Sequence, residues 1–144
     1  MLSRPDITQS VTRGAIRLLQ SLNQAVVAEL PLPNSRRADL VGLCPKGSLT
    51  ILEVKSGLAD YQADQKWPDY SPYCDAFYFA VAPGFPTHCL PADTGLIVAD
   101  GFGGAIVRPA QTHPLSGARR KALTLRFARI AAWRQGELDN PMRL

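Results

Sequence analysis

The sequence predicts a single α/β (α+β) domain with a central mixed β-sheet flanked by helices. Three observations support this class: an amphipathic segment opens the chain, several short β-type segments follow, and a second amphipathic segment lies near the end. The chain has 144 residues, about one domain, and its 46% hydrophobic content is enough for a sizeable core. We therefore assign residues 1–144 to one domain.

The first half of the chain reads as a helix followed by an antiparallel meander. Apolar residues recur at helical spacing in ITQSVTRGAIRLLQSLN, and we expect Asp6 to be the N-cap of this helix. The strands AVVAEL, RADLVGL and LTILEVK follow. Turn signals separate them at residues 33–35 (Pro-Asn-Ser) and 45–47 (Pro-Lys-Gly).

The second half alternates between helical and extended patterns. LADYQADQKW predicts a short helix that Pro68 ends, and AFYFAVAP predicts a strand buried on both faces. TGLIVAD and GAIVRPA predict two further strands joined by a turn over residues 101–104. A basic helix is expected over about residues 117–135, and the remaining residues read as a short tail.

Composition narrows the location of the protein. No stretch approaches the roughly 20 apolar residues of a membrane span. The start, MLSRPDITQS, lacks the apolar region of a signal peptide, so we expect a cytoplasmic protein without a membrane partner. Cys44, Cys74 and Cys89 form no C-x-x-C pair, and their spacing with the two histidines matches no zinc pattern. Reduced thiols are expected.

Positive charge is concentrated near the end of the chain. Residues 1–107 carry eight basic and ten acidic side chains, whereas residues 108–144 carry eight basic and two acidic ones. This asymmetry indicates a polyanion partner, although a basic face on a terminal helix is often only solvated. The candidates for contact with nucleic-acid phosphates on this helix are Arg119, Arg120 and Lys121.

The stretch ILEVKSG, residues 51–57, places charged side chains in a predicted core strand. Because side chains alternate between the faces of a strand, Glu53 and Lys55 share one face and Leu52 and Val54 the other. The ordinary explanation of such a pattern is a half-exposed strand that carries a surface ion pair. The neighbouring strand suggests a second explanation.

If the Pro-Lys-Gly turn centres on Lys46, Asp39 lies directly across from Glu53. Opposed like charges destabilise a sheet unless something offsets their repulsion. A hard divalent cation such as Mg²⁺ or Mn²⁺ would do so, because it prefers oxygen ligands and takes one or two carboxylates. Lys55 lies on the same face and could orient or activate a water molecule, or hold a phosphate.

The preceding hairpin adds one more carboxylate to this group. A turn centred on Asn34 places Glu29 opposite Asp39, so Glu29 is a third candidate metal ligand. A shift of one residue in the register would move Glu29 or Asp39 to the other face. A solvated strand charge is the alternative for Glu29.

Two arginines precede the first carboxylate of the group. Arg36 and Arg37 come just before Asp39, and the same register places Arg37 opposite Lys55. Such cations next to carboxylates form either a surface charge network or a phosphate-binding patch. We favour the phosphate-binding patch.

The helix after the charged strand carries further candidates. Lys66 lies four residues from both Gln62 and Tyr70, so the three could share a face over the site if the helix is long enough. Lys66 would then contact a phosphate, and Tyr70 would hydrogen-bond to or stack on a base. Asp60 and Asp64 are expected to offset the helix dipole.

The residues and their order also allow a family comparison. Asp39, then Glu53-x-Lys55 after a meander, then a helix, resembles the PD-(D/E)XK phosphodiesterase superfamily, whose core is a helix, three strands, a helix and a further strand. The longer stretch from RRADLVGL through LTILEVKSGLADYQADQKWPDYSPYCDAFYFAV is similar to the MmcB family of bacterial DNA-repair proteins within that superfamily. The resemblance extends over nearly the whole chain.

This resemblance implies a role for several residues. Asp39 and Glu53 would bind Mg²⁺ or Mn²⁺, and Lys55 would assist the attacking water. Gln65 and Lys66 occupy the positions on the next helix where the superfamily often places a glutamine or a basic residue. The superfamily often adds a glutamate from the first helix, but ITQSVTRGAIRLLQSLN has no acidic residue, so that role is vacant or moved to Glu29.

The family resemblance implies a link to damage-induced, error-prone DNA synthesis, with DNA and other DNA-repair proteins as partners. Three hypotheses follow. The first is a metal-dependent nuclease that hydrolyses phosphodiester bonds in DNA through Asp39, Glu53 and Lys55. The second is a DNA-binding or scaffold module of the repair machinery that keeps the fold and does not cleave. The third is a small structural protein whose charge pairs serve only solvation.

Overall fold

Six β-strands form one sheet, and their order across the sheet is their order along the chain. The structure is a computed structural model that describes residues 2–140. The strands are β1 (Ala25–Pro31), β2 (Arg37–Leu43), β3 (Leu49–Lys55), β4 (Ala76–Val81), β5 (Gly95–Ala99) and β6 (Gly104–Arg108). The helices are α1 (Arg4–Ser21), α2 (Leu58–Ala63) and α3 (Gly117–Asp139), with short 3₁₀ turns at Trp67–Asp69, Ser71–Tyr73 and Thr87–Cys89.

The sheet is mixed, as the sequence predicts. β1, β2 and β3 form an antiparallel meander. β4 and β5 then continue the sheet parallel to β3, and β6 returns antiparallel to β5. The mixed sheet with helices on both faces confirms the predicted α/β class.

The opening helix begins earlier than the sequence predicts. The N-cap is Ser3 rather than Asp6: the Ser3 hydroxyl accepts a hydrogen bond from Asp6 N at 3.3 Å. The Asp6 carboxylate in turn accepts one from Ser3 N at 3.3 Å, which completes a capping box. Pro5 fits the first turn because a backbone N–H is unpaired there in any helix.

The helix after β3 is shorter than predicted. It ends at Ala63, because Asp64 has an extended backbone and its Oδ1 accepts a hydrogen bond from Lys66 N at 3.1 Å. Pro68 then lies within a separate 3₁₀ turn, Trp67–Asp69. The helical face predicted to unite Gln62, Lys66 and Tyr70 therefore does not form.

One face of the sheet packs against α1. Val11, Ala15 and Leu19 of the helix meet Leu52 and Val54 of β3, together with apolar residues of the neighbouring strands. These positions follow the predicted helical spacing and strand alternation. The α1 face is therefore a continuous apolar layer.

The opposite face packs against the later segments of the chain. Ile51 and Phe79 from the sheet meet Tyr61 of α2 and Leu123 and Phe127 of α3. Because both faces are covered, all seven residues of β3 are buried. The alternative explanation of ILEVKSG, a half-exposed strand with a surface ion pair, is therefore wrong.

The closing helix is four residues longer than predicted and begins after Ser116, whose hydroxyl caps it. Arg126 and Arg134 fasten it to β1 by donating to the carbonyl oxygens of Pro31, Ala28 and Glu29. Residues 137–139 of the predicted tail are therefore helical, and residues 141–144 lie outside the described residues. Over residues 2–140, no helix is long and apolar enough to span a membrane.

Candidate functional site

The β2–β3 hairpin has the register that brings the two carboxylates together. Its turn is symmetric about Lys46: Cys44 N donates to Ser48 O at 3.1 Å, and Gly47 adopts a φ of +93°, which glycine tolerates. The paired residues run from Leu43–Leu49 to Leu40–Leu52. Asp39 and Glu53 follow as neighbours at the end of the ladder.

Backbone hydrogen bonds hold both carboxylates in place. Glu53 Oε1 accepts a hydrogen bond from Asp39 N at 3.4 Å, and Asp39 Oδ2 accepts one from Val54 N at 2.8 Å. Each side chain is thus anchored to the strand that carries the other. The predicted Asp39–Glu53 pair is present and oriented by the hairpin itself.

This pair lies where negative charge is unfavourable. Glu53 is only 6% exposed, and burial, together with the Asp39 charge, raises the pKa of Glu53 to about 8. Burial also raises the pKa of Asp39, although the Val54 N–H and the Lys55 charge oppose that rise. Burial thus disfavours the charged form of both carboxylates, which a bound cation would offset.

Lys55 completes the buried charged group. It ends β3, is 5% exposed and lies beside Val81 of the parallel strand β4. Its Nζ is 3.8 Å from Asp64 Oδ2, just after α2. The candidate site thus lies at the end of β3, under the segment that contains α2.

Asp60 and Asp64 lie near this group, although the sequence predicts only that they offset the dipole of the helix after β3. Asp60 lies in the first turn of α2, but it also accepts hydrogen bonds from Ser56 N at 2.9 Å and from Arg4 at 2.7 Å. Burial would raise the pKa of Asp60, but the Ser56 N–H and the Lys55 charge lower it overall. Asp64 lies beyond the helix, so the dipole interpretation is wrong for it.

The third predicted carboxylate is not part of the group. Glu29 has a φ of +53°, which interrupts the β1–β2 pairing, and its exposed side chain lies 3.8 Å from Arg37. Among residues 2–140, no group of three or more His, Cys, Asp or Glu side chains lies close enough to share one metal ion. The structure therefore brings Asp39 and Glu53 together and leaves Glu29 apart.

The residues predicted around the carboxylates have different environments. Arg36 pairs with Asp69 at 3.0 Å. Arg37 is exposed near Glu29, and the β2–β3 pairing ends at Leu40–Leu52, before it reaches Arg37 and Lys55. The Tyr70 ring is buried and its hydroxyl donates to Arg37 O at 3.3 Å, so it offers no surface for stacking on a base. Burial and the Glu53 charge raise the pKa of the Tyr70 hydroxyl.

Gln65 and Lys66 are exposed, but they lie in the loop after α2 rather than on a helix. Because Asp64 holds the backbone of Lys66, this loop has a defined path beside Lys55. Both side chains face solvent next to the candidate site. A basic and an amide group at this place suit contact with a phosphate.

The basic residues at the start of α3 differ from one another. Arg119 lies over the Tyr73 ring, with its guanidinium carbon 4.8 Å from the ring centre, and donates to Pro72 O. Arg120 makes two hydrogen bonds of 2.7 Å to Asp75 and one of 2.8 Å to Gly47 O. Arg120 is thus a structural residue, and Lys121 is exposed.

Taken together, the fold and the site define a single-domain α/β protein with a carboxyl pair and a lysine buried at the end of a central strand. The family model described as "DNA repair protein MmcB-like" matches residues 3–142. The chain belongs to the MmcB-like DNA repair protein family.

A solved structure supports the fold. The "SPO1766 protein of unknown function from Silicibacter pomeroyi" is 40% identical to this chain, with a TM-score of 0.91. The alignment covers 96% of this chain and 94% of that one. No curated protein matches the chain.

Proposed function

We propose that this protein is a metal-dependent nuclease of the PD-(D/E)XK type that hydrolyses phosphodiester bonds in DNA during repair. One observation carries the proposal: Asp39 and Glu53 are held together in a buried position beside Lys55, although neither carboxylate neutralises the other. Such an arrangement costs stability in a protein that has no use for it. Membership of a DNA-repair family supports DNA as the substrate.

The donor set fits one hard cation. Two carboxylates from neighbouring strands match the way in which Mg²⁺ or Mn²⁺ binds, with water and substrate phosphate as the other ligands. A bound cation would offset the unfavourable charge of the two carboxylates and would stabilise charge on the phosphate in the transition state. A second metal has less support, because Glu29 is exposed beside Arg37 and no third acidic side chain of residues 2–140 clusters with the pair.

The protein's own residues would perform the remaining steps. Asp39 and Glu53 keep fixed orientations because backbone N–H groups bind one oxygen of each. Lys55 would hold the scissile phosphate or orient the attacking water, since its ammonium lies on the same face of β3. Binding of a phosphate there would displace Asp64 from its weak contact with Lys55.

The surface around the site suits a nucleic acid. Gln65 and Lys66 lie in the adjacent loop, and Arg37 is exposed on the neighbouring strand. Lys121 and Arg119 would add phosphate contacts farther along α3. Arg36 could contact DNA only if its ion pair with Asp69 broke. Arg120 and Tyr70 are not part of the proposed DNA surface, because Arg120 is bound to Asp75 and Tyr70 is buried. The reaction would take place in the cytoplasm, with other repair proteins as partners.

A non-cleaving DNA-binding module is the second candidate function. The near-complete burial of Glu53 and Lys55 favours it, because a nuclease must bring its phosphate to these groups. In that case the family fold and the basic surface would be kept for binding alone. The two candidates make different predictions for metal and for Lys55.

Calorimetry with Mn²⁺ separates the candidates. The wild type, Asp39→Asn and Glu53→Gln would be titrated with and without a short DNA, and Asp69→Asn would serve as a control because Asp69 is an exposed acid paired with Arg36. The nuclease proposal expects binding by the wild type and the control, and weak or no binding by the two site variants. DNA binding without metal binding in any variant would favour the non-cleaving module.

Cleavage of labelled single-stranded, duplex and branched DNA completes the test. Lys55→Met keeps the length of the buried side chain but removes its charge, so it should abolish cleavage while folding and DNA binding persist. Lys66→Met, in the adjacent exposed loop, is the matched control and should reduce DNA affinity only. Cleavage at the wild-type rate in Lys55→Met would remove Lys55 from the mechanism.

A further inference from the structure

The two edges of the sheet are protected to very different degrees. β1 forms one edge and β6 the other. An edge strand presents unpaired N–H and C=O groups that can pair with another chain, so proteins usually block both edges. Only the β1 edge is blocked in this way.

Three features protect β1. The guanidinium groups of Arg126 and Arg134 on α3 bind its carbonyl oxygens, including that of Glu29 at 3.1 Å. Glu29 has a φ of +53°, which interrupts regular pairing, and Pro31 lacks an N–H. A further strand would therefore find few free groups on this side of the sheet.

β6 has none of these features. Ala105, Ile106 and Val107 are exposed, with 40% of Ile106 and 60% of Val107 accessible, and Phe102 in the preceding turn is 86% accessible. Over residues 2–140, no side chain hydrogen-bonds to the backbone of β6. A neutral, apolar edge of this kind is open to pairing.

The edge of β6 is not covered by Arg108, which is the one charged residue of this strand, or by the segment that follows it. Arg108 is turned inward, where Nε donates to Thr94 O and Nη2 to Pro91 O, both at 2.8 Å. After Arg108 the chain runs back under the sheet, because His113 N donates to Asp75 O at 2.8 Å. The outer side of β6 is therefore left uncovered by the residues that the structure describes.

We propose that β6 pairs antiparallel with β6 of a second copy of this chain, around a twofold axis at Ile106. Ile106 would then meet its counterpart, Ala105 would meet Val107, and Gly104 would meet Arg108. Apolar side chains face each other, and glycine leaves room for the arginine. The two arginines lie at opposite ends of the ladder, so no like charges meet.

A second copy fits this edge better than a charged partner segment would. The exposed side chains of β6 offer no charge for another protein to complement, whereas the pairing above matches each residue of β6 with a compatible one. The ladder is only five residues long, so we expect a weak dimer that forms as concentration rises. This inference does not depend on the proposed nuclease activity.

Analytical ultracentrifugation over a wide range of protein concentration tests the proposal. The wild type should shift from monomer to dimer, and Val107→Lys should stay monomeric where the wild type is mostly dimeric. Leu125→Lys makes the same change at an apolar residue of α3 that is 59% exposed, so it should dimerise like the wild type. A wild type that stays monomeric throughout, or a dimer unaffected by Val107→Lys, would overturn the proposal.

A charge swap tests the register of the two copies. Ala105→Glu and Val107→Lys should each weaken self-association, yet a mixture of the two variants should form a heterodimer, because residues 105 and 107 face each other across the axis. Circular dichroism would confirm that both variants are folded. If the mixture associates no better than either variant alone, this pairing is wrong.

Discussion

The two ends of β3 each hold a buried carboxylate, but in opposite electrostatic states. At the first residue of β3, Leu49 N donates a hydrogen bond of 2.8 Å to the carboxylate of Asp75. This carboxylate also accepts one hydrogen bond from Leu115 N and two from Arg120. The Arg120 hydrogen bonds, more than any other contact, lower the pKa of Asp75 to about 2. At the other end, burial and Asp39 raise the pKa of Glu53 to about 8.

This difference separates a structural carboxylate from a candidate functional one. Each oxygen of Asp75 has partners, so its charge fastens α3 and the chain before it to the sheet. Glu53 has one long backbone hydrogen bond and a second acid as its neighbour. A group that stays poorly compensated in a well-packed core is more consistent with a ligand site than with a stabilising contact.

The largest expected effect is at the structural end. Asp75→Asn should lower the free energy of unfolding by about 2–4 kcal/mol, because it breaks a pair in which the acid is buried. Urea unfolding followed by circular dichroism would measure it. Asp69→Asn, which breaks the exposed pair with Arg36, should cost less than about 1 kcal/mol. Equal losses would mean that the Asp75–Arg120 contact has no special role.

At the other end, Glu53→Gln should stabilise the protein in the presence of a chelator. An amide needs no proton and can donate to Asp39. Because the pKa of Glu53 rises on folding from 4.5 to about 8, folding binds a proton between these values. Stability should therefore fall as pH rises through this window in the wild type.

Removing the titrating group should flatten that dependence. We expect Glu53→Gln to gain about 1–3 kcal/mol at the upper end of the window and little below the lower end. Thermal unfolding at a series of pH values would show the difference. A wild type whose stability is unchanged across the window would contradict the raised pKa of Glu53.

The loss of stability at acidic pH should come chiefly from protonation of Asp75. Its pKa falls on folding from 3.8 to about 2, so its contribution is present above the upper value and is lost as pH falls toward the lower one. Asp75→Asn should lose less stability than the wild type on acidification through this range. The measurement is the midpoint of acid unfolding, and identical acid limbs would contradict the assignment.

The smallest expected effect concerns the contact of Lys55 with Asp64. Asp64 is half-exposed and 3.8 Å away, so Asp64→Asn should change stability by less than about 1 kcal/mol. Under the nuclease proposal, it should nevertheless strengthen binding of DNA, since the carboxylate no longer competes for Lys55. Fluorescence anisotropy would measure the affinity, with Asp93→Asn, a change at an exposed acid in the loop before β5, as the control. Unchanged or weaker binding would argue against a phosphate at Lys55.

Local patterns were sufficient to predict most of the sheet and the central pair. The Pro-Lys-Gly turn fixed the register that joins Asp39 to Glu53, and alternation in LTILEVK placed Glu53 and Lys55 on one face. These features depend on residues close in sequence. The same arithmetic failed for Glu29, because its left-handed backbone interrupts the β1–β2 pairing at this residue and its carboxylate lies near Arg37.

Long-range contacts were not predictable. Arg120 reaches Asp75 from 45 residues away, and no local pattern marks that partnership. The burial of Glu53 and Lys55 depends on how α2 and α3 cover the sheet, which the alternation of one strand does not reveal. Asp64 lies outside α2, and its side chain accepts a hydrogen bond from Lys66 N. An aspartate often accepts a hydrogen bond from the backbone N–H two residues on, so the Asp-x-Lys spacing could have indicated the end of the helix.

The agreement between strand order and chain order has a consequence for synthesis on the ribosome. Each strand emerges next to the one made just before it, so the sheet can grow outward from β1 without waiting for distant parts. By contrast, α3, which brings Arg120 back to Asp75, is made only after all six strands. A nascent chain that stops before residue 117 would have all six strands, but the buried acid at the start of β4 would still lack its cation.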